Sequence, residues 1–435
     1  MAPETANLEK IARLELENKR LRSAVEELSI LNEIATTISS ARSLDDIVAL
    51  IIKKCVKHLN VEQGAVMLLN KEEGGNPFRT MVRKADTSSE TLPYRLNTQL
   101  TGWMLKHQQP LLINNIKEDS RFQDMKFDNL AVQSLVGVPL LLKGRIIGVI
   151  TVFNKKHGQN FSENDQRLLS IIAAQSAQVI ENARLYEEEQ AYLRMQEEMR
   201  LAREIQQRLL PASAPEIKGY DLAGITIPAK DVAGDYYDFI PLNSHRFAFC
   251  LGDVSGKGMP AALLMSNLQA SIRSQDLEEV PARLCVKRSN NLISKNTSPE
   301  KFATFFYGHL DTQSHQLTYC NAGHDSPFLF SGEEEVQRLP ATGIVLGFTA
   351  PWEYDDASCE MKPDDVLLIY SDGITEAFDK NEEEFGEDRL MQVVRKHLKE
   401  NAREIAQKII ESVKQHSSGV PQMDDMTLVI VKRLK

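Results

Sequence analysis

Four aspartates in the second half of the chain stand where a hard metal ion could use them. They are Asp235 in Gly234-Asp235-Tyr236-Tyr237-Asp238, Asp253 in Gly252-Asp253-Val254-Ser255-Gly256-Lys257-Gly258, Asp372 in Tyr370-Ser371-Asp372-Gly373 and Asp424 in Asp424-Asp425-Met426-Thr427. Asp253 and Asp372 each follow an apolar run, Phe247 to Leu251 and Val366 to Tyr370, and precede turn residues, which is the pattern of carboxylates at strand ends. Asp424 instead precedes its run, Met426 to Val431. Carboxylates gathered on one rim of a sheet make an oxygen-rich site suited to Mg2+ or Mn2+. Each aspartate taken alone is equally a turn former, so the joint occurrence carries the argument.

Composition bounds what must hold these residues in place. A chain of 435 residues admits roughly three domains of about 150 residues, and 42% hydrophobic content supports real cores. The balance of 51 Lys plus Arg against 61 Asp plus Glu, −10 in all, argues against a nucleic-acid binder. Cys55, Cys250, Cys285, Cys320 and Cys359 are scattered and form no Cys-x-x-Cys pair, as expected of reduced apolar fillers in a cytoplasmic protein. No signal peptide opens the chain, and its most apolar stretch, Leu135 to Phe153, is interrupted by Lys143-Gly144-Arg145, so no membrane span is expected.

Residues 1–40 place Leu14, Leu21 and Leu28 on one seven-residue series and Ile11, Asn18, Val25 and Asn32 on the complementary one. This is the seam of a short parallel coiled coil and predicts a homodimer; a solitary amphipathic helix is the alternative. Residues 41–185 alternate helix and strand signals: a helix over Asp45 to Leu59 with Ser43 or Leu44 near its cap, a strand over Gln63 to Asn70, and a hairpin of Leu135 to Leu142 with Arg145 to Phe153. Asn154-Lys155, Phe161 and Asp165, ahead of a helix ending Glu181-Asn182-Ala183-Arg184-Leu185-Tyr186, resemble the pattern of GAF domains, with Gln166 where cyclic-nucleotide-binding members often carry Glu. That pattern is mainly structural; it leaves open a small-molecule or protein ligand on one hand and a pure dimerisation and relay role on the other. Ser162 to Leu210 reads as one long helix, so residues 164–215 form a linker. Its heptad of Ile172, Val179, Tyr186 and Leu193 shifts phase to Leu201, Ile205 and Leu209 before Pro211 and Pro215 end it.

Residues 216–435 are dominated by strand signals, at Leu222 to Pro228, Arg246 to Leu251, Ala303 to Leu310, Gln316 to Cys320, Pro327 to Phe330, Val366 to Tyr370 and Met426 to Val431. Helical signals lie between them at Pro260 to Arg273, Val280 to Ser294, Arg389 to Lys399 and Ala402 to His416, which fits two stacked sheets with helices outside. The aspartate contexts, with Asn321-Ala322-Gly323-His324 and Gly373-Ile374-Thr375-Glu376, closely resemble the metal-dependent PPM-type protein phosphatases of the bacterial SpoIIE/RsbU branch. The whole chain is then an α+β multidomain protein: a GAF-type α/β sensor domain, a coiled-coil linker helix and an α-β-β-α PPM-type phosphatase domain.

The resemblance implies two Mn2+ or Mg2+ ions, with Asp253 bridging, Asp372 and Asp424 completing one, and Asp235 with the Val254 backbone carbonyl serving the other. Asp238 and Asp425 are further candidate ligands, direct or through water. Lys230, where relatives often have Arg, could orient phosphate, and His324 could give a proton to the leaving alkoxide; each also has a plain reading, as a surface lysine and a structurally satisfied histidine. Where eukaryotic relatives carry Asp-Gly-His, this chain has Asp253-Val254-Ser255, and Ala233-Gly234 stands where the bacterial branch commonly has two glycines. The implied function is hydrolysis of phosphoserine or phosphothreonine on a regulatory protein, an anti-sigma-factor antagonist, under control of the N-terminal regions. A catalytically weak or silent dimeric scaffold is the alternative. A two-metal nuclease is disfavoured, because the chain lacks a basic and aromatic strand-tracking patch.

Overall fold

The computed structural model describes residues 13–15, 17, 18, 21, 25, 29, 43–69, 78–84, 98–122, 132–298 and 300–435. Within the N-terminal heptads, Leu14, Asn18, Leu21 and Val25 are helical and exposed in the single chain, whereas Ile11, Leu28 and Asn32 lie outside the described residues. The chain divides into two compact units, Met1–Arg194 and Met195–Lys435. Among the described residues no helix is long and apolar enough to cross a membrane.

In the first unit, helix α1 (Leu44–Leu59) starts where Ser43 accepts the Asp46 amide at 3.2 Å, with Asp45 and Asp46 in the first turn and Lys57 and His58 in the last, as the helix dipole favours. An antiparallel sheet follows in the order β2-β1-β5-β4-β3, formed by β1 (Val61–Leu69), β2 (Phe78–Lys84), β3 (Leu111–Ile113), β4 (Leu135–Leu142) and β5 (Arg145–Lys155). The apolar stripe of α1 packs one face together with Leu169, Ile172 and Ala177 of helix α3 (Glu163–Gln207). The other face carries Leu100 and Met104 of α2 (Thr98–His107), an element whose weakly amphipathic sequence did not announce it. The Asn154-Lys155…Asp165 pattern is a staple between strand and helix. Asp165 pairs with Lys155 and accepts the Ser162 amide at 2.7 Å, and Asn154 Oδ1 accepts the Gln133 amide at 2.8 Å.

The second unit stacks two five-stranded antiparallel sheets, β13-β10-β9-β8-β7 and β12-β11-β14-β15-β6. The strands are β6 (Tyr220–Ile227), β7 (Tyr236–Pro241), β8 (Arg246–Val254), β9 (Ala303–Asp311), β10 (Gln316–Ala322), β11 (Phe328–Ser331), β12 (Glu335–Arg338), β13 (Ala357–Glu360), β14 (Val366–Tyr370) and β15 (Met426–Arg433). Alternate residues of both sheets, among them Phe249, Phe306, Leu367 and Val429, fill the layer between them. The outer faces are covered by α4 (Met259–Arg273) and α5 (Ala282–Asn296) on one side, and on the other by α7 (Gly386–His397) and α8 (Ala402–His416), beyond the single turn α6 (Asp372–Thr375). The expected α-β-β-α layering is thus present. Strand β7 escaped the sequence reading because Asp238 interrupts its apolar run, and β12 and β13 because both are short and partly exposed.

Candidate metal centre

Two antiparallel strand pairs, one in each sheet, deliver the four aspartates. Tyr236 of β7 lies opposite Gly252 of β8, so Asp235, one residue before β7, meets Asp253 near the end of β8. Tyr370 of β14 lies opposite Leu428 of β15, so Asp372 beyond one strand and Asp424 before the other also end together. Ser371 ties this second pair: its amide donates to the Thr427 carbonyl at 2.9 Å, its hydroxyl accepts the Thr427 amide at 3.0 Å and donates to the Asp425 carbonyl at 3.1 Å. A Cβ on Gly373 would stand 2.2 Å from the Asp425 carbonyl oxygen, so only glycine lets the Asp372 turn lie on the Asp424-Asp425 peptide. A Cβ on Gly234 would stand 3.1 Å from the Val254 carbonyl oxygen, which sets that carbonyl beside the Asp235 loop.

The carboxylates strain one another. Asp235 is 1% exposed and its Oδ2 has no hydrogen-bond partner. Burial, then the charge of Asp253, pushes its pKa well above the usual carboxylate range. Burial, then Asp372, pushes Asp253 up to about 7, and burial, then Asp424, raises Asp372. Among the described residues no three His, Cys, Asp or Glu side chains are grouped closely enough to hold a metal ion by themselves. Neighbouring acidic oxygens with one buried and unpartnered nevertheless suit hard cations that complete their shells with a backbone carbonyl and water.

The remaining candidates fall elsewhere. Asp238 is not at the centre: both its oxygens are held by Arg273 at 2.7 Å, and the Tyr236 hydroxyl donates to it at 2.7 Å. Asp425 spends both oxygens on backbone, accepting the Ala229 amide at 2.7 Å and the Gly234 amide at 2.6 Å, so it braces the loop leading to Asp235 rather than offering a free ligand oxygen. His324 is buried, its Nδ1 lies 2.8 Å from the Thr304 hydroxyl, its Nε2 has no hydrogen-bond partner, and burial lowers its pKa to about 4, which disfavours the charged form. Lys230 is exposed on the loop that Asp425 braces.

Two residues escaped the sequence reading. Gln206, 8% exposed near the end of α3, donates to the Ala233 carbonyl at 2.7 Å and accepts the Ala233 amide at 2.9 Å. Nothing local marks it, since it is one glutamine in a charged helix. Lys257 pairs with Asp424 at 2.7 Å, and its place inside the Gly252–Gly258 motif was the signal available.

Comparison with known proteins agrees with this architecture. The solved SiaA-PP2C domain of Pseudomonas aeruginosa covers 56% of this chain and is itself covered to 99%, at 20% identity and a TM-score of 0.50, so the second unit has the PP2C phosphatase fold. The family model for stage II sporulation protein E (SpoIIE) matches residues 243–434, and a GAF domain model matches residues 41–181. The phosphoserine phosphatase RsbU of Bacillus subtilis (strain 168) is 30% identical over 254 residues, spanning 57% of this chain and 75% of RsbU. Protein IcfG of Synechocystis sp. is 30% identical over 263 residues, spanning 54% of this chain and 41% of IcfG. The chain belongs to the SpoIIE/RsbU-type family of PPM protein phosphatases and is an enzyme of the protein-serine/threonine phosphatase class, a family whose members depend on metal.

Proposed function

We propose that this enzyme acts in the cytoplasm, removing phosphate from a phosphoserine or phosphothreonine of a regulatory protein, an anti-sigma-factor antagonist. The observation that carries the reading is two strand-end aspartate pairs, one in each sheet, close enough that the charge of Asp372 acts on Asp253, with the Asp235 Oδ2 buried and unpartnered. Asp253, Asp372 and Asp424 would hold one Mn2+ or Mg2+ ion, and Asp253 with Asp235 and the Val254 carbonyl would hold a second. The bound ions would lower the pKa of a water and offset charge on the phosphoryl oxygens. The chain's own residues hold and orient: Asp425 sets the loop that carries Lys230 and leads to Asp235, and Lys230 draws the phosphate in. With His324 neutral and enclosed, the proton for the leaving oxygen comes from water.

Control enters from the N-terminal side. In this reading a small-molecule or protein ligand acts on the GAF unit, and a second copy covers the exposed apolar positions of the heptads, Leu14 and Leu21 in residues 1–40 and Leu193 and Leu201 in the linker. Gln206 then relays the setting of the helix to Ala233, two residues from Asp235. The decisive experiment is hydrolysis of an aryl phosphate and a phosphoprotein with and without Mn2+, alongside Asp253→Asn and Asp372→Asn. Activity that needs Mn2+ and disappears in both variants supports the reading; undiminished activity in either variant overturns it.

A further inference from the structure

We infer that Lys257 is a built-in counter-cation of the metal centre, competing with a divalent ion for Asp424 and so setting the cation concentration at which that site fills. The inference rests on the two-ion reading above and deepens it. The Lys257 ammonium is held at two points, 2.7 Å from Asp424 Oδ2 and 2.5 Å from the Met423 carbonyl oxygen. Asp424 Oδ1 accepts the Asp425 amide at 2.9 Å, so the oxygen facing Lys257 is the one left for a metal. An ion ligated there would sit at roughly 2.1 Å, a position that an ammonium on the same oxygen contests both sterically and by charge.

Two further features make this an exchange rather than a permanent block. The side chains of Lys257 and Asp424 are 40% and 37% exposed, so the pair is of the weak, solvent-screened kind, and the lysine can swing into water when the ion arrives. Among the described residues, no Lys, Arg or His forms an ion pair with Asp235, Asp253 or Asp372. The positive charge of Lys257 also reaches Asp372, the other carboxylate of the same proposed site. Competition is therefore confined to the Asp372–Asp424 site and spares the one served by Asp235.

A structural brace and a competitor predict opposite signs. If Lys257 competes, removing its charge tightens metal binding; if it merely positions Asp424, removing it loosens binding. The test is calorimetric titration of Mn2+ into the full-length protein and its Lys257→Met variant, with Lys257→Gln as a second, more polar replacement should the first fail to fold. Asp424→Asn identifies which binding step belongs to this site. We expect Kd at that step to fall about tenfold in the Met or Gln variant, about 1.4 kcal/mol, to stay within about twofold of wild type in Lys257→Arg, and to be unchanged at the other step. Equal or weaker Mn2+ binding in the neutral variants overturns the inference. A wild-type protein that binds no Mn2+, or binds it undiminished in Asp253→Asn, overturns the two-ion reading itself and this inference with it.

Discussion

The carboxylate of Asp425 accepts the backbone amide of Gly234 at 2.6 Å, joining the start of β15 in one sheet to the loop that feeds β7 in the other. Its second oxygen accepts the Ala229 amide at 2.7 Å, so one side chain spans the segment that sets Asp235. Asp425→Ala strands both amides, each costing about 1–3 kcal/mol when buried. We expect a loss of about 2–4 kcal/mol in urea unfolding and weaker Mn2+ binding in the same preparation. A variant that binds Mn2+ normally would show that the loop holds its shape without the brace.

Asp238 is a structural anion, and its variants should separate it from the metal ligands. Arg273→Met leaves a fully buried carboxylate with only the Tyr236 hydroxyl and the Phe239 amide, and breaking a buried pair typically costs about 3–5 kcal/mol. Arg273 is itself nearly half exposed, so the lower end applies. The expected outcome is a lowered midpoint in chemical denaturation with unchanged Mn2+ affinity per folded molecule. A selective loss of affinity without loss of stability would return Asp238 to the centre.

Gln206 grips both the amide and the carbonyl of Ala233. Gln206→Leu keeps the volume but leaves both backbone groups without their partner, at about 1–3 kcal/mol for each buried group. Because Ala233 precedes Asp235 by two residues, we expect Mn2+-dependent hydrolysis of an aryl phosphate to fall by about tenfold or more, recovering in part at high Mn2+. Comparing kcat against Mn2+ concentration for the two proteins checks this, and superimposable curves would remove Gln206 from the relay.

Proton competition sets the pH dependence of the metal-free protein. Burial and the neighbouring Asp372 raise Asp253 to about 7, far above its unfolded value near 3.9. A carboxyl whose folded pKa is raised binds its proton more tightly when folded, so its favourable contribution is full below about pH 4 and is lost as pH climbs toward 7. Metal binding runs the other way, because the ligands must be deprotonated. Mn2+ affinity should therefore rise between pH 6 and 8, and Mn2+ should raise the melting temperature more at pH 8 than at pH 6. Calorimetry and thermal melts at the two pH values check both signs.

Much of this protein was legible in its residues alone. The order of apolar runs, the Ser43 cap, the long helix that ends shortly before Pro211 and the placement of Asp253 and Asp372 after strands are local properties, each fixed within a few residues by periodicity and turn chemistry. They sufficed for the layered fold, and they singled out the strand-end aspartates as candidates. Tertiary structure alone assigned the neighbours of those aspartates different tasks. Asp238 and Asp425 look like Asp235 and Asp424 in sequence, yet one is neutralised by Arg273, 35 positions away, and the other is spent on amides 191 and 196 positions away. The burial that disfavours the charged form of His324 is likewise set by the fold and not by the residues beside it. Gln206 and Lys257 acquired their partners in the same way. What a polar group does depends on which partner the fold brings within hydrogen-bond reach and how much water it excludes, and neither quantity is written in the residues beside it.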